Sequence, residues 1–268
     1  IVELSQVAWY WTFIAKRALT TDEINQVIAY YNLDKYVMPD IYYDVKKQGL
    51  TNDTPDEDWY LKDFSGNGRD MTLYNYARTP ESGINEEGGL QLDGVDDFGK
   101  VTGMTVYKDY TVVAEREFLS VPDGDNITNG SLVSKADGSG KGAFIIEEIT
   151  KQRARESSFS IGTNITDYNA NRSISYQSKY SYNGKVLTAG QVEDGDAMWL
   201  GTIRDNDSRF INAAIYFLMS FPYSMSEFLI ERQLKKHKLG TLYPDMVEFR
   251  PTINSNKVNV KDVERRDN

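Results

Sequence analysis

Short runs of alternating apolar and polar residues fill the chain between residues 41 and 220, and clusters of Gly, Asn and Asp interrupt them. Two of the longer runs read YTVVAEREFLSV and AAIYFLMSF, rich in the β-branched and aromatic residues that strands favour. Many short strands with closely spaced turns are typical of an all-β sandwich or barrel. One turn, Asn183-Gly184, is the residue pair that two-residue hairpins prefer, because both positions need positive φ.

A helical pattern occurs once before this β-rich region and once after it. The first segment reads LTTDEINQVIAYYN, in which Thr20 and Glu23 have the spacing of a capping box. The second reads SMSEFLIERQLKKHKLG, with the same spacing at Ser224 and Glu227, lysines near its end and Gly240 as its predicted stop. Both segments therefore predict short amphipathic helices.

The two helical segments belong to a longer repeat. Each follows an apolar run and leads to a Pro-Asp pair, first Pro39-Asp40 and then Pro244-Asp245, which is 244 − 39 = 205 positions later. Such a repeat favours a tandem array of modules, although chance similarity stays open. The predicted parts are the closing strand and helix of a preceding module (1–40), a complete sandwich (41–245), and a linker or the start of a following segment (246–268).

Composition and charge argue against several classes of ligand and of functional site. The net charge of −10 and the isoelectric point near 4.8 disfavour nucleic acid, which needs clustered Lys and Arg, and suit divalent cations or neutral ligands such as sugars. The chain has no Cys, which excludes disulfides and thiolate chemistry, and a single His, His237, which argues against a His-based triad or metal site. No apolar run reaches the length that a membrane-spanning helix needs, so we expect no membrane insertion.

The stretch LQLDGVDDFGKV, residues 90–101, places carboxylates between two apolar segments. In the structural interpretation, Leu90 and Leu92 face the core, and Asp93 and Gly94 begin a turn between paired strands. Asp and Gly suit this position because they tolerate positive φ and bond to nearby backbone. The two aspartates at the end of the turn are expected to stay in contact with water.

A calcium site is the functional alternative for the same stretch, since calcium takes several carboxylate and carbonyl oxygens. The regular Asp-x-Asp-x-Asp-Gly loop of a helix–loop–helix calcium site is absent. We expect no required cofactor and treat calcium as the one cation that this turn suits. The candidate ligands are Asp93, Asp96 and Asp97.

Several motifs, in this order, resemble the laminin-G-like branch of the concanavalin A-like lectin/glucanase fold. Each motif alone has low specificity, and their order carries the resemblance. They are DFSGNGRDMTL (63–73), GGLQLDGVDDFGKV (88–101), SLVSKADGSGKGAFII (131–146), YNGKVL (182–187) with MWLGTI (198–203), and FINAAIYFLMSFPYSMSEFLIERQ (210–233), with AWYWTFIAKRALTTDEINQVI (8–28) as a second copy of the last.

This resemblance implies a jelly roll of two stacked antiparallel sheets, with short amphipathic helices at the module ends. Members of the family mostly bind glycans or proteins, and they often occur as tandem modules on cell surfaces and in phage virions. The resemblance therefore implies an extracellular, cell-surface or virion location, and a glycan, a surface receptor or neighbouring copies of the module as partners.

The glucanase branch of this family raises the question of catalysis, because its members carry two Glu residues on one strand. Glu115 and Glu117 alternate so that both can share one face. The residue between them is Arg116, where the family has Asp, and the neighbouring residues fit ordinary strand packing. We interpret the pair as exposed strand-face charge and expect no enzyme.

The preferred hypothesis is a non-catalytic binding or adhesion module within a larger protein. Sugar sites combine an aromatic face with Asn and Asp side chains that bond to hydroxyl groups. A structural or assembly module is the first alternative, and a glycoside hydrolase is the second. The predicted ligand-binding residues are Asn126, Asn129, Tyr168, Asn169, Tyr180, Asp205 and Asp207.

Overall fold

The computed structural model divides into two compact units, Pro39–Leu242 in one and Ile1–Met38 with Tyr243–Asn268 in the other. Each unit is described by itself. Among the residues described, no helix has both the length and the apolar character to cross a bilayer. The structure describes residues 14–20, 23–24, 26–27, 38–119, 130–136, 142–150, 153–157, 171–178, 181–182, 185–186, 195–204, 209–242, 252–254 and 257–259.

The unit Pro39–Leu242 contains two antiparallel sheets, as expected for an all-β sandwich, and this part of the prediction is confirmed. The jelly-roll connectivity stays a prediction. Sheet A contains β1 (Ile41–Asp44), β4 (Gly83–Ile84), β5 (Leu90–Asp93), β7 (Thr111–Phe118), β11 (Ser173–Ser178), β12 (Ser181–Tyr182), β13 (Lys185–Val186) and β15 (Asn212–Phe221). Sheet B contains β2 (Tyr60–Leu61), β3 (Met71–Tyr74), β6 (Phe98–Val101), β8 (Gly130–Ala136), β9 (Gly142–Thr150), β10 (Arg153–Ser157) and β14 (Met198–Leu200).

Strand β15 organises sheet A. One of its edges pairs with β7 along most of its length, and its other edge is shared by β5 and β1. Nine of its ten residues are buried, which explains why its sequence is a nearly continuous apolar run. At the far edge of the sheet, β12 and β13 pair through Ser181–Val186 and Tyr182–Lys185. The predicted pairing of the strands on either side of Asn183-Gly184 is confirmed, and the two turn residues themselves lie outside the described residues.

Residues alternate between the core and the outer faces of the two sheets. In β5, Leu90 and Leu92 are fully buried in the core, as predicted. In β1, Ile41 and Tyr43 belong to the core, so the intervening Tyr42 faces away from it. Apolar side chains from both sheets meet in one cluster, and this burial stabilises the unit.

Among its described residues this unit has two α-helices, α1 (Val45–Gln48) and α2 (Glu227–His237), and a short 3-10 helix at Asp56–Asp58. Helix α2 packs on the outer face of sheet A, where the His237 ring lies 4.5 Å from the ring of Tyr42, and Ile230 and Leu234 are fully buried. The capping box predicted at Ser224 is wrong, because the N-cap is Ser226 and the Ser224 hydroxyl donates to Asp109.

Helix α2 also ends earlier than predicted. The sequence favoured Gly240 as its stop, but the C-cap is Lys238, which adopts the left-handed conformation with φ 58°. Its backbone N–H bonds back to the carbonyls of Leu234 and Lys235. A lysine therefore occupies a position at which helices usually have glycine. Because the prediction relied on this preference for glycine, it placed the helix end two residues too late.

The motif DFSGNGRD anchors the start of the unit through buried side-chain hydrogen bonds. Asp63 accepts from the backbone N–H groups of Tyr42 (3.0 Å), Ser65 (2.9 Å) and Arg69 (3.0 Å). The Arg69 side chain in turn pairs with the buried carboxylate of Asp40. The motif therefore has a structural role, because its Asp63 side chain accepts hydrogen bonds from backbone N–H groups of the surrounding chain.

In the other unit, a two-stranded sheet joins β16 (Thr252–Asn254) and β17 (Lys257–Asn259). The sequence analysis gave this stretch no structure. The capping box at Thr20 and Glu23 is confirmed, since the Glu23 N–H donates to the Thr20 hydroxyl at 3.2 Å and the Thr20 N–H donates to the Glu23 carboxylate at 3.0 Å. The predicted module boundaries, including 1–40 as the end of a preceding module, stay predictions.

Candidate functional site

The turn between Asp93 and Phe98 connects the two sheets and is not a hairpin. Strand β5 pairs with β15 and β4 in sheet A, whereas β6 pairs with β14 and β3 in sheet B. The predicted strand pair is therefore wrong, although both strands exist. Alternation of apolar residues identifies strands, but it carries no information on which neighbour each strand takes.

The three aspartates of this turn differ in their surroundings. The Asp97 carboxylate accepts from the backbone N–H of Asp93 and from the hydroxyl of Ser82, both at 3.0 Å, and is 1% exposed. Burial raises the pKa of Asp97 to about 6. The expectation that Asp97 stays in contact with water is wrong, whereas Asp96 is exposed as expected.

Ligand atoms of Asp93, Asp96 and Asp97 all lie within 4.8 Å of one another. Asp93 and Asp97 already accept hydrogen bonds within the turn, for example from the backbone N–H of Val95 to Asp93 at 2.7 Å. The donor set suits a hard cation such as calcium, but the same carboxylates also account for the shape of the turn. Calcium binding here stays a prediction.

An exposed aromatic pair lies beside the turn. Tyr74 and Phe98 are partners across β3 and β6, and their rings stack with centroids 4.6 Å apart and planes 13° apart. Tyr74 is 40% exposed. We call these two residues the aromatic platform. It lies on the outer face of sheet B, because Met71 and Leu73, which alternate with Tyr74, belong to the core.

Polar groups flank the platform. The Asn75 side chain donates to the backbone carbonyl of Asp96 at 3.0 Å, which links the end of β3 to the turn. Within the described part of the chain, neither the Asp96 carboxylate nor the Tyr74 hydroxyl has a hydrogen-bond partner. Val95, at the tip of the turn, is 69% exposed. The arrangement offers an aromatic face, a free carboxylate and a free hydroxyl on one surface.

The ligand-binding residues predicted from the sequence cannot be placed against this platform. All seven lie outside the described residues, so their assignment stays a prediction. They are Asn126, Asn129, Tyr168, Asn169, Tyr180, Asp205 and Asp207.

The described end of β7 lies beside the start of the turn. Leu119, just after β7, donates its N–H to the carbonyl of Asn212 at 3.0 Å. Asn212 is in turn the register partner of Asp93.

A second polar cluster lies on the outer face of sheet A. The Arg172 guanidinium pairs with Glu115 at 2.8 Å and with Glu87 at 3.0 Å, and lies 3.5 Å from the ring centroid of Tyr216. The Tyr216 hydroxyl donates to Glu117 at 3.2 Å. Glu115 and Glu117 therefore share one face, as their spacing predicted.

An irregularity in β15 lies at this second cluster. The register between β15 and β7 shifts between Ile215 and Phe217, at the position of Tyr216. Burial raises the pKa of Tyr216 to about 12, so this hydroxyl stays protonated and donates hydrogen bonds at neutral pH. Close packing against Gly89 fixes the ring, since a Cβ there would lie 2.6 Å from it.

Sequence analysis missed both the aromatic platform and the partners of the glutamate pair. Period-two alternation in MTLY places Tyr74 on the outer face and was a usable signal. No local signal identified Arg172 and Tyr216 as partners of the glutamates, because Arg172, just before β11, and Tyr216, in β15, lie far from the pair in sequence.

No family model matches the chain, and no curated protein matches it in sequence. Similar solved structures include a mutant of Trypanosoma rangeli sialidase displaying trans-sialidase activity, 12% identical with a TM-score of 0.50, covering 82% of this chain and 40% of that one. Another is the same sialidase with 2,3-difluorosialic acid, 14% identical with a TM-score of 0.50, covering 84% of this chain and 39% of that one. The chain thus spans about two fifths of the sialidase chains.

A further match is a botulinum neurotoxin type C structure, described by its interaction with two ganglioside molecules. It is 12% identical with a TM-score of 0.47, and the match covers 74% of this chain and 51% of that one. At these identities, the sialidase matches show a shared β fold and nothing finer. No laminin-G family match supports the resemblance drawn from the motifs.

The comparisons correct one expectation. We expected no enzyme from the sequence, because Arg116 stands between the two glutamates where the glucanases have Asp. That exclusion is wrong, since the solved structures that share this fold include a sialidase and a mutant of it displaying trans-sialidase activity. One missing motif on one strand does not exclude catalysis from a fold that can assemble a site from several strands.

Proposed function

We propose that the chain is a carbohydrate-recognition module that binds a sugar on the aromatic platform. The observation that carries the proposal is the exposed Tyr74 ring, which stacks on Phe98 beside the free carboxylate of Asp96. A pyranose ring has an apolar face that packs on an aromatic ring, and its hydroxyls bond to carboxylate and amide groups.

The support on Phe98 matters for this function. A ring held parallel to its neighbour has fewer orientations to lose when a ligand binds, so less conformational entropy opposes binding. The bond from Asn75 to the turn holds Asp96 close to the same surface. The platform is therefore ordered before a sugar arrives.

The test is binding of the full chain to an array of neutral and acidic oligosaccharides, followed by calorimetry with the sugar that gives the strongest signal. We expect Tyr74→Ala to weaken binding about fivefold, because a lost aromatic contact of on the order of 1 kcal/mol corresponds to a change of this size. We expect Tyr74→Phe to retain most of the affinity, because it keeps the ring and removes only the hydroxyl.

Asp96→Asn tests the polar half of the site and should weaken binding without changing the melting temperature by more than a few degrees. Equal sugar binding by wild type and Tyr74→Ala would contradict the proposal. Repeating each titration with calcium and with a chelator shows whether the cation predicted at the neighbouring turn contributes.

Glycoside hydrolysis is the second candidate function, and the outer-face glutamate pair favours it. Residues two apart on a strand have Cα atoms roughly 7 Å apart, within the range at which paired carboxyl groups of glycosidases operate, roughly 5 to 9.5 Å. The two carboxylates also differ in their partners, since Glu115 pairs with Arg172 and Glu117 accepts from Tyr216. Such a difference is what separates an acid from a base or nucleophile.

Hydrolysis is tested with chromogenic glycosides, including sialosides, on the full chain. We expect Glu115→Gln and Glu117→Gln each to abolish any turnover, and the control Glu81→Gln, an exposed glutamate elsewhere, to leave it unchanged. Turnover that persists in both variants would exclude this pair. Sugar binding that depends on Tyr74 without turnover would leave recognition as the function.

A further inference from the structure

Lysines from three segments gather around two aromatic rings on the outer face of sheet A. The Lys47 ammonium lies 4.3 Å from the ring centroid of Phe64 and 4.8 Å from that of Tyr42, and the Lys62 ammonium lies 6.0 Å from that of Phe64. Lys236, in α2, is exposed and is the chain neighbour of His237, whose ring lies 4.5 Å from that of Tyr42. We call Lys47, Lys62 and Lys236 the lysine patch.

The lysine patch carries uncompensated positive charge. Its three members are exposed, and none of them forms an ion pair with any residue that the structure describes. The neighbouring Asp44 is buried and is already bonded to the Tyr42 hydroxyl at 2.8 Å. Lys46 and Lys238 extend the patch in sequence, with the same exposure and the same lack of ion pairs.

This concentration of positive charge is unusual for the chain, which has 40 acidic and 30 basic residues and a net charge of −10. Like charges held together without partners repel one another and reduce stability. A bound anion removes that repulsion and gains charge-assisted hydrogen bonds from the ammonium groups.

We propose that the lysine patch is a binding site for an acidic saccharide that carries carboxylate or sulfate groups. Lysine presents a single compact charge and lacks the planar fork with which arginine grips phosphate, and the patch contains no arginine. Nucleic acid binding depends on many simultaneous phosphate contacts, more than three to five lysines supply. Isolated charges spaced along a sugar chain match three to five lysines on a small surface.

This site is separate from the aromatic platform. The patch lies on the outer face of sheet A beside α2, and the platform lies on the outer face of sheet B. The inference therefore does not depend on sugar binding by Tyr74, and the variant Tyr74→Ala is expected to leave the patch intact.

The only histidine of the chain provides a reporter within the patch. Burial, with Lys236 and Lys47, lowers the pKa of His237 to about 4, and Asp44 opposes this shift. An anion bound to those lysines offsets their positive charge and therefore raises the pKa of His237. The imidazole proton resonances can be followed by NMR through a pH titration with no ambiguity of assignment.

The experiment titrates the full chain with polygalacturonate, which carries carboxylates, and with dextran sulfate, with uncharged dextran as the reference. We expect one or both acidic polymers to bind, to raise the pKa of His237, and to bind more weakly as NaCl is added. Lys47→Glu and Lys236→Glu should each reduce affinity at least tenfold. Lys108→Glu, which makes the same charge change at an exposed lysine outside the patch, should leave affinity within about twofold.

Several results would overturn the assignment. Equal binding by wild type and Lys47→Glu would show that the acidic polymer binds outside the lysine patch. Binding that leaves the pKa of His237 unchanged would show the same. Tighter binding to a single-stranded DNA oligonucleotide than to either acidic polysaccharide replaces the saccharide with nucleic acid. If Lys47→Glu lowers the melting temperature, Lys47→Gln serves as the milder variant, and unchanged affinity there also overturns the proposal.

Discussion

At the residue scale, buried aspartates determine the paths of two loops. Asp63 accepts three backbone N–H groups in the motif DFSGNGRD, and Asp97 accepts one N–H and one hydroxyl in the turn after β5. In both loops the Asp-rich sequence predicts a solvent-exposed turn. Only the three-dimensional contacts reveal which carboxylate points inward, because Asp suits exposed and inward-facing turn positions equally.

Removing the Asp97 carboxylate should destabilise the unit by about 1–3 kcal/mol, because its two donors lose their partner while they stay buried. The variant is Asp97→Ala, and the measurement is urea unfolding followed by circular dichroism. Asp96→Ala is the matched control, and its exposed side chain predicts a change within about 0.5 kcal/mol. Equal stability of the two variants would show that the bonds of Asp97 contribute little.

His237 should make stability depend on pH in a defined direction. Burial lowers the pKa of His237 to about 4, below the value of 6.5 expected in the unfolded chain. The folded state therefore favours the neutral ring. This contribution is present above about pH 6.5 and is lost as the pH falls toward 4.

Comparison with His237→Gln isolates this effect, because carboxylates that titrate in the same range are common to both proteins. We expect the difference in the free energy of unfolding between wild type and variant to shrink as the pH is lowered from 7 toward 4. A difference that stays constant with pH would show that His237 titrates normally.

At the element scale, patterns that depend on near neighbours were predictable. The strands β5, β7, β12, β13 and β15 follow from alternation, apolar runs and the Asn183-Gly184 turn. The capping box at Thr20 is correct, because the two groups that bond are three residues apart. The same pattern at Ser224 failed, because the hydroxyl found a partner in Asp109, far away in sequence.

Features that depend on distant partners could not be predicted. The assignment of β5 and β6 to different sheets depends on which strands lie beside them, and two short apolar runs do not encode this. The bulge at Tyr216 is likewise a property of the pairing between β15 and β7. The outer-face glutamate pair was therefore visible in the sequence, but its arginine and tyrosine partners were not.

Helix α2 should depend on its buried face for stability. Ile230→Ala removes a fully buried side chain between α2 and sheet A, and we expect it to cost about 2–5 kcal/mol because a cavity is left. Lys235→Ala, on the exposed face of the same helix, should change stability by less than about 0.5 kcal/mol. Thermal unfolding monitored by circular dichroism measures both, and similar melting temperatures would contradict this packing.

At the scale of the whole molecule, the unit Pro39–Leu242 places different chemistry on its two faces. The outer face of sheet B carries the aromatic platform, and the outer face of sheet A carries helix α2, the lysine patch and the glutamate pair. The core that separates these faces draws on both sheets. A ligand on one face therefore leaves the other accessible, and the two proposed sites can be tested independently.

This unit should fold without the rest of the chain, because the fragment 39–242 contains its own core and both of its sheets. The fragment 45–242 is the matched control. It lacks β1, which pairs with β15, and Asp40, which pairs with Arg69 and accepts from Thr105. We expect a single cooperative melting transition for the longer fragment and a loss of that transition for the shorter one. Equal melting temperatures would show that the first strand and its buried carboxylate are dispensable, and an unfolded longer fragment would show that the unit needs the remainder of the chain.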